Sequence, residues 1–440
     1  MGIESYVSQL TYCCGDRIMS GDISKNEAFR AFAKIGFLSF GGPAGQIALM
    51  HRVIVDEKRW LSEQQFLNAL SFCMLLPGPE AMQLATYAGW RLHGTLGGLV
   101  AGLLFVLPGA FVVMALAALY ALVGDVPLMT AIFLGVKAAV VVIVIEALIK
   151  VSKRALKRFD YWVVAALAFI GIFFFALPFP FIIILAAIYG AIRIGTSEDD
   201  VAVAEKVVTN HTFKTIGLWL MIWWAPLLAL WAVAPDSVLS DIGFFFSKLA
   251  VVSFGGAYAG LAYMAQDVVA GFGWLQAGEM MDGLGLAETT PGPLILVTEF
   301  VGFLAAFKQG GVLLGIAGGL ITLWVTFVPC FLCIFAGAPY VEWISTQPRL
   351  KGALTGITAA VVGVILNLTV WFALHVFFTS IETKHIGLIK VLTPDMSSLD
   401  WRVLFLCGVS AFLLLVLGRG ILLTLGVAAA LAMAMHFAGF

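Results

Sequence analysis

Three lysines and three glutamates stand inside apolar stretches of this sequence, where charge is costly. If those stretches cross a bilayer, a lysine near its centre costs about 2.5 to 3.5 kcal/mol and normally has a partner or a wet cavity. Such lysines could hold an anion, and the glutamates could carry a coupling proton. Snorkelling of the lysines to the membrane interface and structural pairing with the glutamates are the alternatives. These residues are Lys34, Lys137, Lys248, Glu80, Glu146 and Glu299.

Four short motifs interrupt the apolar stretches with glycine and proline. Ser-Phe-Gly-Gly occurs at 39–42 and 253–256, and Pro-Gly-Pro at 77–79 and 291–293. A helix broken inside a membrane must line a cavity or be buried in protein, and its free amides and positive dipole ends suit an anion. The alternative is that small residues only permit close helix packing. Besides the lysines, the candidate anion site contains Ser39, Gly41, Gly42, Pro77, Gly78, Pro79, Ser253, Gly255, Gly256, Pro291, Gly292 and Pro293.

The composition requires a membrane around this chain. Hydrophobic residues make up 61% of the 440 positions and charged residues only 12%, whereas an average soluble domain is roughly 25% charged. Apolar runs such as 96–122 and 126–149 reach the length of about 20 residues that a spanning helix needs. The sequence therefore predicts an all-α polytopic membrane protein with about thirteen apolar segments.

The two halves of the chain repeat one another. Lys34 and Pro79 recur as Lys248 and Pro293, each 214 residues further along. An extra apolar segment at 217–234 lies between two series of six, and one extra crossing inverts the second series, as in many secondary transporters. The predicted units are a first repeat at 1–194, a cytoplasmic linker with a linking transmembrane helix at 195–240, and an inverted second repeat at 241–440.

Basic residues orient the predicted helices. The loop at 150–158 holds five lysines and arginines, which places it, the linker and the N-terminus in the cytoplasm. The basic loop at 51–60 would then be external if the segment before it spanned fully. Re-entrant hairpins broken at the glycine and proline motifs remove this conflict, because an arm of about ten residues reaches only the bilayer midplane. Full spans are the alternative.

Several motifs together resemble a known family. The pattern Phe-x-Lys-x-Gly-x-x-Ser-Phe-Gly-Gly-Pro at 32–43, Pro-Gly-Pro at 77–79 and Ala-Ala-Val-Val at 138–141 resemble the chromate ion transporter (CHR) family, in its long two-domain form. The second half departs from the pattern at Ala250 and Ala257, so its break need not be equivalent to the first. The resemblance implies efflux of chromate, with sulfate as a competing tetrahedral dianion.

Four functions can be weighed on this basis. Export of a dianion from a negative interior gains about 4.6 kcal/mol per 100 mV, which favours a chromate exporter. The alternative is uptake of sulfate or another tetrahedral oxyanion, coupled to protons or cations. A channel is less favoured, and an enzyme least, because the six histidines are scattered and no phosphate-binding loop occurs.

The same reasoning sets the expected partners and location. We expect no cofactor, no metal and no nucleic acid. The expected partners are a small oxyanion, chromate or sulfate, and the lipid bilayer. The expected location is the cytoplasmic (inner) membrane. The oligomeric state is left open, with a homodimer as one option.

Overall fold

Helices dominate the structure, as the composition predicts. The computed structural model describes residues 23–40, 42–124, 126–194, 210–254, 257–341, 347–387 and 389–439. The predicted class of all-α polytopic membrane protein is confirmed, because several of the described helices are long and apolar enough to cross a membrane. They are Glu80–Val123, Pro127–Ala155, Thr212–Val233, Leu294–Tyr340 and Pro348–Phe377.

The described part of the first half forms seven helices in sequence. A π-helical turn, Arg52–Glu57, prolongs the second of them, and the fourth is kinked where Gly94 takes a φ of 64°. An eighth helix, α8 (Asn210–Val233), links this half to the next. The seven helices are α1 (Lys25–Leu38), α2 (Gly42–His51), α3 (Glu63–Cys73), α4 (Glu80–Val123), α5 (Pro127–Ala155), α6 (Phe159–Phe173) and α7 (Phe179–Ile194).

The second half repeats this order of elements. Its second helix also runs into a π-helical turn, Asp267–Gly271, and its fourth, preceded by the 3₁₀ turn Leu294–Leu296, is also kinked, where Gly311 takes a φ of 75°. Each kink divides a long helix into two arms. The helices are α9 (Val238–Val252), α10 (Ala257–Gln266), α11 (Ala277–Thr289), α12 (Val297–Gly337), α13 (Pro348–Phe377), α14 (Trp401–Ala411) and α15 (Ile421–Phe437).

A β-hairpin between α13 and α14 is the element that the sequence did not predict. Strands β1 (Ile381–Ile386) and β2 (Ile389–Pro394) pair antiparallel within a stretch too polar to span a membrane. Helix α14 then begins behind Asp400, whose carboxylate accepts hydrogen bonds from Arg402, the closest at 2.7 Å. The Arg402 guanidinium holds the pKa of that carboxyl below its usual range.

The broken segments fold back on themselves as helical hairpins. At the base of the first, the ammonium of Lys58, just beyond the π-helical turn, lies 2.7 Å from the carboxylate of Glu27 in the first turn of α1. A hairpin of α11 and the first arm of α12 is closed in the same way, because Lys308 lies 2.6 Å from Glu279. Each of these two hairpins therefore begins and ends at the same end. Re-entry from one side of the membrane stays a prediction.

Both halves begin their second hairpin with the same local device. Ser62 caps α3 in a capping box with Gln65, and Gln276 and Glu279 form the equivalent box at α11. A capping box satisfies amide groups that the first turn of a helix leaves without partners. These helices therefore start at matching positions because their sequences specify it locally.

The halves interlock through their last helices. Helix α7 packs on α13 of the other half, and α15 packs on α5. At these crossings a Cβ on Gly135 would meet the carbonyl oxygen of Ala428, and one on Gly356 would meet that of Ala186. After a short insertion the repeat offset becomes 221 residues, so Gly135 and Gly356 are counterparts. Close backbone approach therefore explains why both are glycine.

The departure of the second half at Ala250 also has a packing reason. Its counterpart in α1 is Gly36, where a Cβ would collide with the backbone carbonyl of Leu104 in α4. Ala250 in α9 is accommodated as a buried residue. Helix α1 is therefore packed so closely on α4 at Gly36 that this position needs a glycine.

Candidate functional site

The two Pro-Gly-Pro loops cross over to the serine breaks of the opposite half. The amide of Gly78 donates to the carbonyl oxygen of Ser253 at 2.9 Å, and the amide of Gly292 donates to that of Ser39 at 2.8 Å. Gly78 and Gly292 adopt φ values of 106° and 91°, which only glycine reaches easily. The exchange of hydrogen bonds brings all four breaks together in two crossed pairs.

Each crossing brings together the beginnings of two helices. Helix α2 begins at Gly42, three residues after Ser39, and the turn leading into α12 begins two residues after Gly292. Likewise α4 begins at Glu80 beside the Gly78 loop, and α10 begins shortly after Ser253. The first N–H groups of a helix have no partner within it and carry its positive dipole end. Each crossing therefore offers two helix N-termini to an anion.

Open space adjoins one of these N-termini. Gly42, the first residue of α2, has a φ of 72°, and a Cβ built on it would have no atom within 4 Å. Gly41, Gly255 and Gly256, which the sequence also assigns to the site, lie outside the described residues. A small ligand could therefore reach the backbone at the start of α2.

The serine hydroxyls and the crossing amides are already used within the protein. Ser39 donates its hydroxyl to the carbonyl oxygen of Ile35, and Ser253 donates to that of Leu249, both at 2.6 Å. Because the amides of Gly78 and Gly292 are also bonded, the donors left for an anion are the first-turn N–H groups of the helices. The prolines shape the loops around them, since Pro79 caps α4 and Pro293 precedes the turn into α12.

Two glutamines hold the breaks in place, Gln46 across to the other half and Gln83 within its own loop, and the sequence analysis missed both. Gln46 donates to the carbonyl oxygen of Gly292 at 2.6 Å, and Gln83 donates to that of Pro77 at 2.7 Å. Both side chains are buried, and neither amide oxygen has a hydrogen-bond partner among the described residues. A glutamine within an apolar segment, a few residues after a helix break, is the sequence signal that could have revealed them.

Lys34 and Lys248 do not occupy matching environments. The Lys34 ammonium lies 3.6 Å from the Glu57 carboxylate, and both side chains are largely exposed. The Lys248 ammonium lies over the ring of Tyr263, 5.4 Å from its centroid. A role for either lysine in anion binding stays a prediction.

Lys137 lies in the interior and pairs with the opposite half. Its ammonium is 3.2 Å from an oxygen of Asp282 on α11, and the hydroxyl of Tyr120 donates to the same oxygen at 2.8 Å. Asp282 is only 3% exposed. Lys137 and Glu146 are nine residues apart on one helix and so lie on opposite faces of it. Glu146 instead pairs with Lys150 at 2.6 Å.

The other two candidate glutamates differ in their surroundings. Glu80 is half-buried at the start of α4, where the charge of Arg154 acts on it. Glu299, in the first turn of α12, is fully buried, and neither carboxylate oxygen has a hydrogen-bond partner among the described residues. A buried carboxyl without a partner is more stable with a proton bound, which suits a proton carrier.

Helix α11 carries two acidic residues that the sequence analysis overlooked. Besides Asp282, it holds Glu288, which is buried and accepts a hydrogen bond from the Tyr258 hydroxyl at 2.7 Å. The corresponding positions of the first half, in and just after α3, are Asn68 and Met74. An ionisable residue within an apolar segment marks a functional candidate, and this rule alone would have found both acids.

Comparisons with known proteins agree with the membrane architecture. The profile of the chromate transporter family matches residues 26–191 and 240–434. A probable chromate transport protein of Synechococcus elongatus is 31% identical over 82% of this chain and 88% of its own length. The chromate transport protein of Pseudomonas aeruginosa is 33% identical over 78% and 80%, and that of Cupriavidus metallidurans is 29% identical over 78% and 81%. No solved structure matches the chain.

Proposed function

The chain belongs to the chromate transporter family, and from that premise we propose that it exports chromate across the cytoplasmic membrane as a secondary transporter. The observation that carries the proposal is the double crossing of Pro-Gly-Pro loops and serine breaks, each of which brings two helix N-termini together. Chromate is a tetrahedral dianion, and first-turn amides can replace part of its hydration without adding a buried charge of their own.

Positive charge for the dianion comes from Lys137 in this proposal. Its ammonium belongs to the interior, with the side chain 24% exposed, whereas that of Lys34 is 53% exposed and paired with an exposed carboxylate. Partial exposure means that an ion could reach the Lys137 ammonium without unfolding the helices around it. Glu299 and Glu80 serve as candidates for carrying a proton between the two faces.

The first experiment measures the direction and driving force in everted vesicles. Labelled chromate should accumulate in vesicles that contain the protein, and more strongly when the lumen is positive, because a dianion gains about 4.6 kcal/mol per 100 mV. Vesicles without the protein are the control. If collapsing the potential leaves accumulation unchanged, electrogenic export is wrong, and proton-driven accumulation of labelled sulfate would favour the alternative.

The second experiment tests the proposed orientation, with a cytoplasmic N-terminus and re-entrant hairpins. Asp56 and Ala270 are repeat counterparts in the two π-helical turns, and both are exposed. In a background without native cysteines, Asp56→Cys should react with an impermeant thiol reagent from the cytoplasmic side and Ala270→Cys from the outside. Labelling of both from one side would contradict the inversion, and the reverse pattern would contradict the hairpins.

A further inference from the structure

A buried ion pair joins the two halves inside the helix bundle. It consists of Lys137 on α5 and Asp282 on α11, 3.2 Å apart, with the Tyr120 hydroxyl of α4 donating to the same carboxylate oxygen. The second oxygen of Asp282 is buried and has no hydrogen-bond partner in the described part of the chain. The carboxylate is therefore held by one cation and one hydroxyl, both on one of its oxygens.

The repeat architecture does not require this pair. The counterparts of Lys137 and Asp282 are Thr358 and Asn68, which carry no charge. The symmetry-related position, made of Thr358 from the second half and Asn68 from the first, therefore cannot hold an ion pair. A buried pair is weak evidence for stability, because well-packed apolar residues often replace it at no loss. Because only one of the two symmetry-related positions has the pair, we infer that it does more than hold the helices together.

We propose that Lys137 is shared between Asp282 and the transported oxyanion, and that Asp282 takes up one proton when the anion binds; this rests on the proposed chromate transport. A dianion that draws the ammonium away leaves the buried carboxylate without its cation, which is strongly unfavourable. A proton from water on the unpartnered oxygen removes that charge. The site then changes from a neutral ion pair to an ammonium, a neutral carboxyl and a dianion, with one proton and one anion gained.

Few charged groups act on Asp282 among the described residues. Lys137 of α5 is the cation in contact with it, and the neutral Tyr120 hydroxyl of α4 donates a hydrogen bond to it. From α11 itself Glu279 contributes a negative charge, which is neutralised by Lys308 of α12 at 2.6 Å. Lys137 is thus the only cation in direct contact with Asp282 among the described residues. Loss of this one partner to the anion is therefore sufficient to make the proton bind.

Proton and anion must then strengthen one another's binding by the same factor. There is a pH range in which the free protein has lost the Asp282 proton and the anion complex keeps it. Within that range, chromate affinity should fall about tenfold for each unit by which the pH rises. Asp282→Asn mimics the protonated carboxyl and leaves Lys137 available. This variant should bind chromate at least as tightly as the acidic wild type and lose that pH dependence.

The test is equilibrium binding of labelled chromate to purified full-length protein between about pH 6 and pH 8. The protonation of chromate itself is common to all samples, so only the difference between wild type and Asp282→Asn counts. Glu279→Gln, on the same helix, should keep the wild-type slope. Equal slopes for wild type and Asp282→Asn would overturn the coupling. Absence of binding by the wild type at any pH would instead overturn the proposed function, and the coupling with it.

A second measurement covers the case in which Asp282→Asn does not fold. Chromate, adjusted to the pH of the sample, is added to weakly buffered wild-type protein, and proton uptake is followed with an indicator dye. Uptake of about one proton per bound anion supports the coupling, after subtraction of a protein-free blank. Binding without proton uptake at any pH in the range would contradict it.

Discussion

Lys137→Met should abolish chromate transport and destabilise the protein together. The substitution keeps an unbranched side chain of similar volume but leaves the Asp282 carboxylate, 3% exposed, without its cation. Removing one partner of a buried pair costs about 3 to 5 kcal/mol. Thermal unfolding of the purified protein and chromate uptake into everted vesicles measure the two losses separately.

A second substitution separates the two roles of Lys137. In Lys137→Met with Asp282→Asn the buried charge is gone and the Tyr120 hydroxyl keeps an acceptor, so stability should return while transport stays absent. Lys308→Met is the matched control, because its pair with Glu279 is more exposed, and such pairs contribute about 0 to 1 kcal/mol. Full transport by the double variant would show that Lys137 is structural.

The helices and their interruptions could be read from the sequence because both have local causes. Apolar runs mark the long helices, and Gly42 and Pro79 stand where helices begin again in the structure. The matching motifs of the two halves also predicted a matching order of helices. Each of these features depends on residues a few positions apart, so periodicity and helix-breaking residues suffice to find them.

The partners of the charged residues could not be predicted in the same way. Lys137 and Asp282 lie in different halves of the chain, and only the packing of α5 against α11 brings them together. The hydrogen bond from the Gly78 amide to the Ser253 carbonyl oxygen likewise depends on how the two halves pack together. The sequence could show that Lys137 needed a partner, because of its cost in the bilayer, but not which one.

The effect on stability of replacing a glycine at a break by alanine also depends on backbone geometry, which the sequence does not specify. A glycine within a helical stretch is expected to stabilise the helix when replaced by alanine. Gly42 instead has a φ of 72°, where an alanine costs roughly 1 to 2 kcal/mol. The same substitution therefore weakens the backbone here, and a test of function must use a control that carries the same cost.

Gly42→Ala should leave the protein folded and reduce its affinity for chromate at least tenfold. The added methyl group meets no atom within 4 Å, so the cost in stability is limited to the backbone conformation. In the proposed site, however, the methyl group stands at the start of α2, in front of the first-turn amides that would face the anion.

Gly418→Ala is the matched control, since Gly418 has a φ of 61° and also has open space around it, but lies between α14 and α15. Both variants should lose a similar, small amount of thermal stability, and only Gly42→Ala should lose chromate binding, measured at equilibrium on purified protein. Equal chromate affinities in the two variants would place the anion away from the start of α2 and leave the break as a packing device.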